Sequence, residues 1–365
     1  MEKQFVNKAL IILVLFFGRV ATEGEVHMFP AGTYTSKQDL LQNIIAKTGD
    51  IIDCRMAVFH QDNLNAEGAN YPCKINNNPG NVTIRWARVI GHVPQNIAWQ
   101  TYYRQGNGCA ISAFYGGGAI FQDCFVGGPE KAKNCVWDFF RFARQEGEIR
   151  NYIKDCAFIN ARDDGETDTG LKNLTIENAL IHTYVGISSR PGGGAVGKAS
   201  HRDITIRNTV MKMFPCIGNT EKYGTDLIHG APFKWRSGSQ KYIIHNFVFG
   251  AGWPGAKRNQ SFRGGQWRGN WEGALDNIEK ATGENVFCYL GNDGFNNAVP
   301  LGPFKLLEGE VARKYITQKV YEWIDDHKYW NEIWPDYEET IVKNVLENIN
   351  TGRPTSATNR NIPKK

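Results

Sequence analysis

A short run of alternating apolar and polar positions closed by Asn recurs through the middle of the chain. The clearest copies are Leu174-Thr175-Ile176-Glu177-Asn178, Ile204-Thr205-Ile206-Arg207-Asn208 and Tyr242-Ile243-Ile244-His245-Asn246. Tyr152-Ile153-Lys154-Asp155-Cys156 and Ala119-Ile120-Phe121-Gln122-Asp123-Cys124 fit the same frame with Cys in the closing place. That place then falls at 124, 156, 178, 208 and 246, at intervals of 32, 22, 30 and 38 residues. Such intervals are too long for hairpins and lie in the window of stacked repeats.

Period-two alternation predicts strands with one face inward and one outward. A second apolar stretch follows each closing residue, as in Ala179-Leu180-Ile181, Thr209-Val210-Met211 and Phe247-Val248-Phe249. Two strands therefore meet at a corner, and Asn suits it by tolerating the left-handed backbone region and bonding to nearby main chain. In stacked coils these amides would form a ladder. A third stretch, Val185 to Arg190 in one copy and Ala231 to Arg236 in another, closes the coil. A β-sandwich also has many short strands, but its turn signals come roughly every 8–12 residues with no fixed Asn after the strand.

In this repeat plan, over about residues 80–295, the chain resembles the right-handed parallel β-helix superfamily. This is the pectate-lyase-like group of polysaccharide lyases, hydrolases, epimerases and phage spikes. The resemblance implies an all-β solenoid and lies in the repeats alone, since no family catalytic signature is complete. The expected organisation is a signal peptide (1–24), an N-terminal cap region (25–80), the β-helix (81–300), a helical C-terminal flank (301–350) and a disordered tail (351–365). Residues 36–46 carry Leu40, Leu41, Ile44 and Ile45 on one helical face with Ser36 as N-cap, predicting a short capping helix. From Leu306 onward, Val311, Tyr315, Ile316, Val320 and Ile324 repeat at helical spacing.

The first residues read as an export signal: Lys3 and Lys8, then eight apolar residues from Leu10 to Phe17, then small or polar ones. That run is too short to span a bilayer, so the mature chain is expected outside the cytoplasm with no stable membrane span. Export makes nucleic acid an unsuited partner for the net charge of +5. Eight cysteines in an exported chain permit disulfides, with Cys54–Cys73 and Cys109–Cys135 as candidate pairs, while Cys124 and Cys156 share one register and suit simple burial.

Candidate chemistry gathers at two places. In the closing strand, Phe140-Arg141-Phe142 and Phe233-Lys234-Trp235 repeat an aromatic, basic, aromatic order. Arg141, Arg190, Lys234 and Arg236 would then form a basic strip for an acidic polysaccharide, joined by Trp235, Trp253 and Trp267 as sugar-stacking surfaces. The acidic turn Asp163-Asp164-Gly165-Glu166 could hold Ca²⁺ or divide acid and base roles. Cleavage of a uronate glycan by β-elimination needs a cation against the carboxylate, a base and an acid. Arg190, Lys234 and Arg236 are candidates for these roles, with His201 and His229 as rival bases. Asp163-Asp164-Gly165 also resembles part of the polygalacturonase constellation, but His229-Gly230 lacks the preceding Gly and no Arg-Ile-Lys follows. Three readings stand: a lyase, a non-catalytic carbohydrate-binding, adhesin or spike solenoid, and a polygalacturonase-like hydrolase.

Overall fold

The structure is a computed structural model that describes residues 24–35, 38–61, 71–94, 108–127, 134–145, 150–167, 173–189, 202–217, 227–235, 240–254, 265–292, 294–295 and 299–351. Of the expected signal peptide (1–24) and tail (351–365), all but Gly24 and Thr351 lie outside them. Among the described residues, no helix is long and apolar enough to cross a membrane.

The alternating motifs stack as expected. Leu174 aligns with Ile204 and Tyr242, and Ile176 with Ile206 and Ile244, in parallel register. All of these side chains are buried. Most repeats contribute two strands to a 17-stranded sheet, bent at the corner between them, while Arg202–Met213 and Gln240–Ala251 each run through the corner as one long strand; several repeats add a third strand to a six-stranded sheet. The result is a parallel β-solenoid.

The corner lies where a left-handed residue is required. Asp123, Asp155, Asn178, Asn208 and Asn246 have φ between 47° and 51°, and Trp86 takes the same place one coil earlier at 61°. This corrects the frame of the two Cys copies: the corner residue is the Asp before each Cys. Asp tolerates this conformation much as Asn does, whereas Cys124 and Cys156 turn into the core and are fully buried. The polar side chains pair up the stack, Asn178 Nδ2 donating to Asp155 Oδ1 (2.6 Å) and Asn246 Nδ2 to Asn208 Oδ1 (3.0 Å).

Two other expectations are overturned. Cys54, Cys73, Cys109, Cys124, Cys135, Cys156 and Cys288 all carry free thiols. They fill interior places as small apolar residues, and burial pushes the Cys54, Cys73 and Cys156 thiols up. The capping helix over 36–46 is also absent from the described residues. Asp39 bridges to Lys74, Lys74 N–H donates to Gln38 O, and Leu40 N–H donates to Lys74 O. Pairing with the open edge of the six-stranded sheet occupies main-chain groups that a helix would need. Leu40 then enters the core beside the first strands.

Two apolar layers hold the molecule. One fills the solenoid. The other covers the outer face of the second-strand sheet, where Phe125, Ala157, Leu180, Val210, Val248 and Val286 form a continuous register row. Helix α1 (Gly265–Asp276) sends Trp271 and Ala274 into the interior. Helix α2 (Gly309–Asp326) and the turns after it lay Ile316, Val320, Trp323 and Trp330 over the outer row. Helical spacing supplies that apolar stripe.

A bidentate contact fastens this flank. Arg88 donates to both oxygens of Asp336 (2.6 and 2.7 Å), with its guanidinium 4.7 Å from the centre of the Phe125 ring. The Arg88 hydrogen bonds hold the Asp336 carboxyl below its usual range. Asp336→Ala leaves a buried guanidinium without its anion, so it is expected to cost about 3 kcal/mol. Urea unfolding measures the cost, and hydrogen exchange should show the flank opening first; unchanged protection over 309–351 would contradict this role for the pair.

Candidate active site

The six-stranded sheet places its third strands in one register. Lys74, Ser112, Arg141, Glu166, Ser188 and Lys234 form a single row across it. Arg141 and Lys234 do share a row, as the repeated aromatic, basic, aromatic order implied. The row is mixed and not uniformly basic, with Glu166 and Ser188 between the cations. Three strand spacings separate Arg141 from Lys234, about 14 Å. Arg190 and Arg236 lie outside the described residues, and Lys234 and Trp235 are placed by backbone register alone.

Arg141 is where chemistry concentrates. Phe140 and Phe142 on either side point into the core, so the guanidinium stands on the outer face with its side chain 14% exposed. Its Nη1 donates to the Tyr71 hydroxyl (3.4 Å), lies 4.0 Å from an Asp138 carboxylate oxygen, and its guanidinium sits 5.9 Å from the Phe114 ring centre. Tyr71 in turn meets Phe114 edge-on, with ring centres 5.0 Å apart.

Behind Arg141, the turn carrying Asp163 and Asp164 is laced to the preceding coil. Arg162 N–H donates to Val136 O, Asp163 N–H to Trp137 O, and Phe139 N–H to Asp164 O. Thr183 Oγ1 donates to Asp163 O from the next coil. These bonds set Asp138 beside Asp163 and Asp164. One carboxylate oxygen of each lies within 4.8 Å of the others, and all three residues are buried. Three buried carboxylates so close together call for cations or hydrogen-bond donors around them. Arg162 is fully buried next in sequence, with its guanidinium 5.0 Å from the Tyr184 ring centre. The oxygen-only donor set fits a hard divalent cation such as Ca²⁺. No protein-family model, curated protein or solved structure matches this chain.

Other expected participants stand apart from this cluster. His229 is fully buried, its Nδ1 against Gly230 O (2.7 Å) and its Nε2 accepting from Gly252 N–H (2.7 Å). Desolvation drives its pKa down to about 3, so the ring is neutral and spends both nitrogens on main chain. Trp253 is buried edge-on against His229, at 5.8 Å between ring centres, and offers no open stacking face. Trp267 lies in α1, placed by its backbone alone. Asp138 and Tyr71 escaped the sequence reading. A faint signal for Asp138 was present, since it interrupts the apolar run Val136-Trp137-Asp138-Phe139-Phe140 with a charge.

Proposed function

We propose that the protein is an exported polysaccharide lyase of the pectate-lyase-like β-helix type that cleaves an acidic glycan by β-elimination. The observation that carries this reading is Arg141, hydrogen-bonded to Tyr71 and 4.0 Å from Asp138 at the edge of the Asp138, Asp163 and Asp164 cluster. The guanidinium is a permanent cation with a planar fork suited to a uronate carboxylate. Neutralising that carboxylate makes the adjacent C–H proton acidic. Tyr71 Oη, within hydrogen-bond reach of the guanidinium, is the proton-transfer group. As phenolate it takes the proton, and as phenol it returns one to the leaving glycosidic oxygen, while the C–O bond breaks and a C=C bond forms. Asp138, Asp163 and Asp164 would hold Ca²⁺, whose charge adds to that of Arg141 against the substrate carboxylate. Lys234, three strands away, would meet a different sugar unit and serve binding.

A hydrolase is the second reading, favoured by the carboxylate cluster itself, since paired carboxyl groups supply the acid and the base or nucleophile of glycoside hydrolysis. Incubation with polygalacturonate, alginate and sulfated glycans separates the possibilities. Ultraviolet-absorbing unsaturated ends support the lyase. Reducing ends without absorbance support the hydrolase, and binding without product supports a non-catalytic solenoid. Chelation is expected to slow elimination and added Ca²⁺ to restore it, with Asp163→Asn raising the Ca²⁺ concentration needed by roughly tenfold. Rates indifferent to chelator and to Asp163→Asn would remove Ca²⁺ from the account.

A further inference from the structure

Where α2 crosses the Asn corners it leaves a cavity of about 290 Å³, close to the lower bound of roughly 300–1,000 Å³ for small-molecule sites. The corner amides Asn178, Asn208 and Asn246 line one side, and Val210 and Val248 are also part of the lining.

The amide ladder is interrupted inside this cavity. Asn178 is engaged below with Asp155, and Asn208 above with Asn246. Asn178 and Asn208 are neighbours by register, since Glu177 aligns with Arg207, yet no hydrogen bond joins their side chains. The Asn178 Oδ1 acceptor and the Asn208 Nδ2 donor are thus not bonded to each other, although Asn208 and Asn246, one strand apart in the same way, are. A ligand hydroxyl suits this gap because it can donate to one and accept from the other.

Charge narrows the ligand further. Glu284, Glu322 and Asp326 line the cavity against a single cation, Lys319, which is already bonded to Glu322 (2.8 Å). A uronate or sulfated sugar would meet net negative charge. An uncharged sugar presents hydroxyls to the amides and acids and C–H faces to the valines, and Tyr315 adds a partly exposed ring. We propose that this groove binds a short neutral saccharide, independently of the acidic glycan and of the Arg141 site. Such a site would hold the protein on a mixed polysaccharide while cleavage proceeds elsewhere.

The test is titration calorimetry with cellohexaose, mannohexaose and a hexamer of galacturonate. The expected result is binding of at least one neutral hexamer, weakened roughly tenfold by Asn208→Ala and by Asp326→Ala, and unchanged in Arg141→Ala. Asp326→Ala serves as the second variant because Asp326 makes no ladder bond, so a fold disturbed by Asn208→Ala would not mask the outcome. Three results would overturn the proposal: no heat with either neutral hexamer at millimolar concentration, neutral binding indifferent to both groove variants, or galacturonate binding that both variants weaken. Because Arg141→Ala is carried in parallel, failure of the lyase reading leaves this measurement interpretable.

Discussion

If the proposed lyase reading holds, Arg141→Ala leaves the solenoid folded and slows glycan cleavage by about two to three orders of magnitude, the usual effect of losing one preorganised stabiliser of developing charge. The fold should tolerate the change because Arg141 stands on the outer face, while the core at that strand is built by Phe140 and Phe142. The catalytic loss follows from geometry: the guanidinium is bonded to Tyr71 and lies 4.0 Å from Asp138, a member of the carboxylate cluster. Arg141→Lys should recover only part of the rate, since an ammonium keeps the charge and loses the planar fork. Initial rates on the responsive glycan, together with the thermal midpoint, provide the check. An unchanged rate, or full activity in Tyr71→Phe, would displace the centre of the reaction from this site.

Lys212→Met is expected to stabilise the protein at neutral pH by roughly 2 kcal/mol. Lys212 is fully buried in the row His182, Lys212 and Gly250, beneath the C-terminal flank. Its Nζ is bonded to Met213 O and, at 3.4 Å, to Gly252 O, with no carboxylate among its partners. His182 and His229 are the titratable groups nearby, and both are held neutral by burial. The apolar side chain of Ile316 approaches from α2 near Gly250.

Desolvation lowers the Lys212 pKa from 10.5 to about 7. The native amine therefore binds its proton only below about pH 7, whereas the unfolded one does so up to about 10.5. Between those values the unfolded state carries more protons, so stability rises with pH across that window. Below pH 7 both states are charged and the full cost of the buried ammonium remains. A shift of this size corresponds to about 4–5 kcal/mol, from which the two carbonyls losing a donor subtract about 2 kcal/mol. Urea unfolding at pH 7 and pH 10 should show the variant ahead at pH 7 and the rise between the two pH values flattened. A less stable variant at pH 7, or an unaltered rise, would count against a neutralised buried lysine.

The coil plan was written locally, which is why it could be read. Each strand carries its own inward and outward alternation, and each corner names a residue able to take positive φ. The ambiguity was one of a single residue: Asp and Cys are adjacent in Asp123-Cys124 and Asp155-Cys156, and only backbone geometry shows that Asp turns the corner while Cys fills the core. The terminal segment 38–46 misled for a different reason. Its helical periodicity was real, but an unpaired strand edge beside it offered main-chain partners that no local pattern announces.

By itself, the sequence determined the parallel strands, their inward faces and the shared row of Arg141 and Lys234, because these depend on short-range periodicity and on one repeat being copied onto the next. Tertiary structure decided what stands beside Arg141. Tyr71 is 70 residues away in sequence, and Asp138 joins Asp163 and Asp164 only because one coil's turn is hydrogen-bonded to the strand of the coil before it. Unequal coil lengths set those meetings, and chain length between two residues carries no information about their register once the coils are stacked.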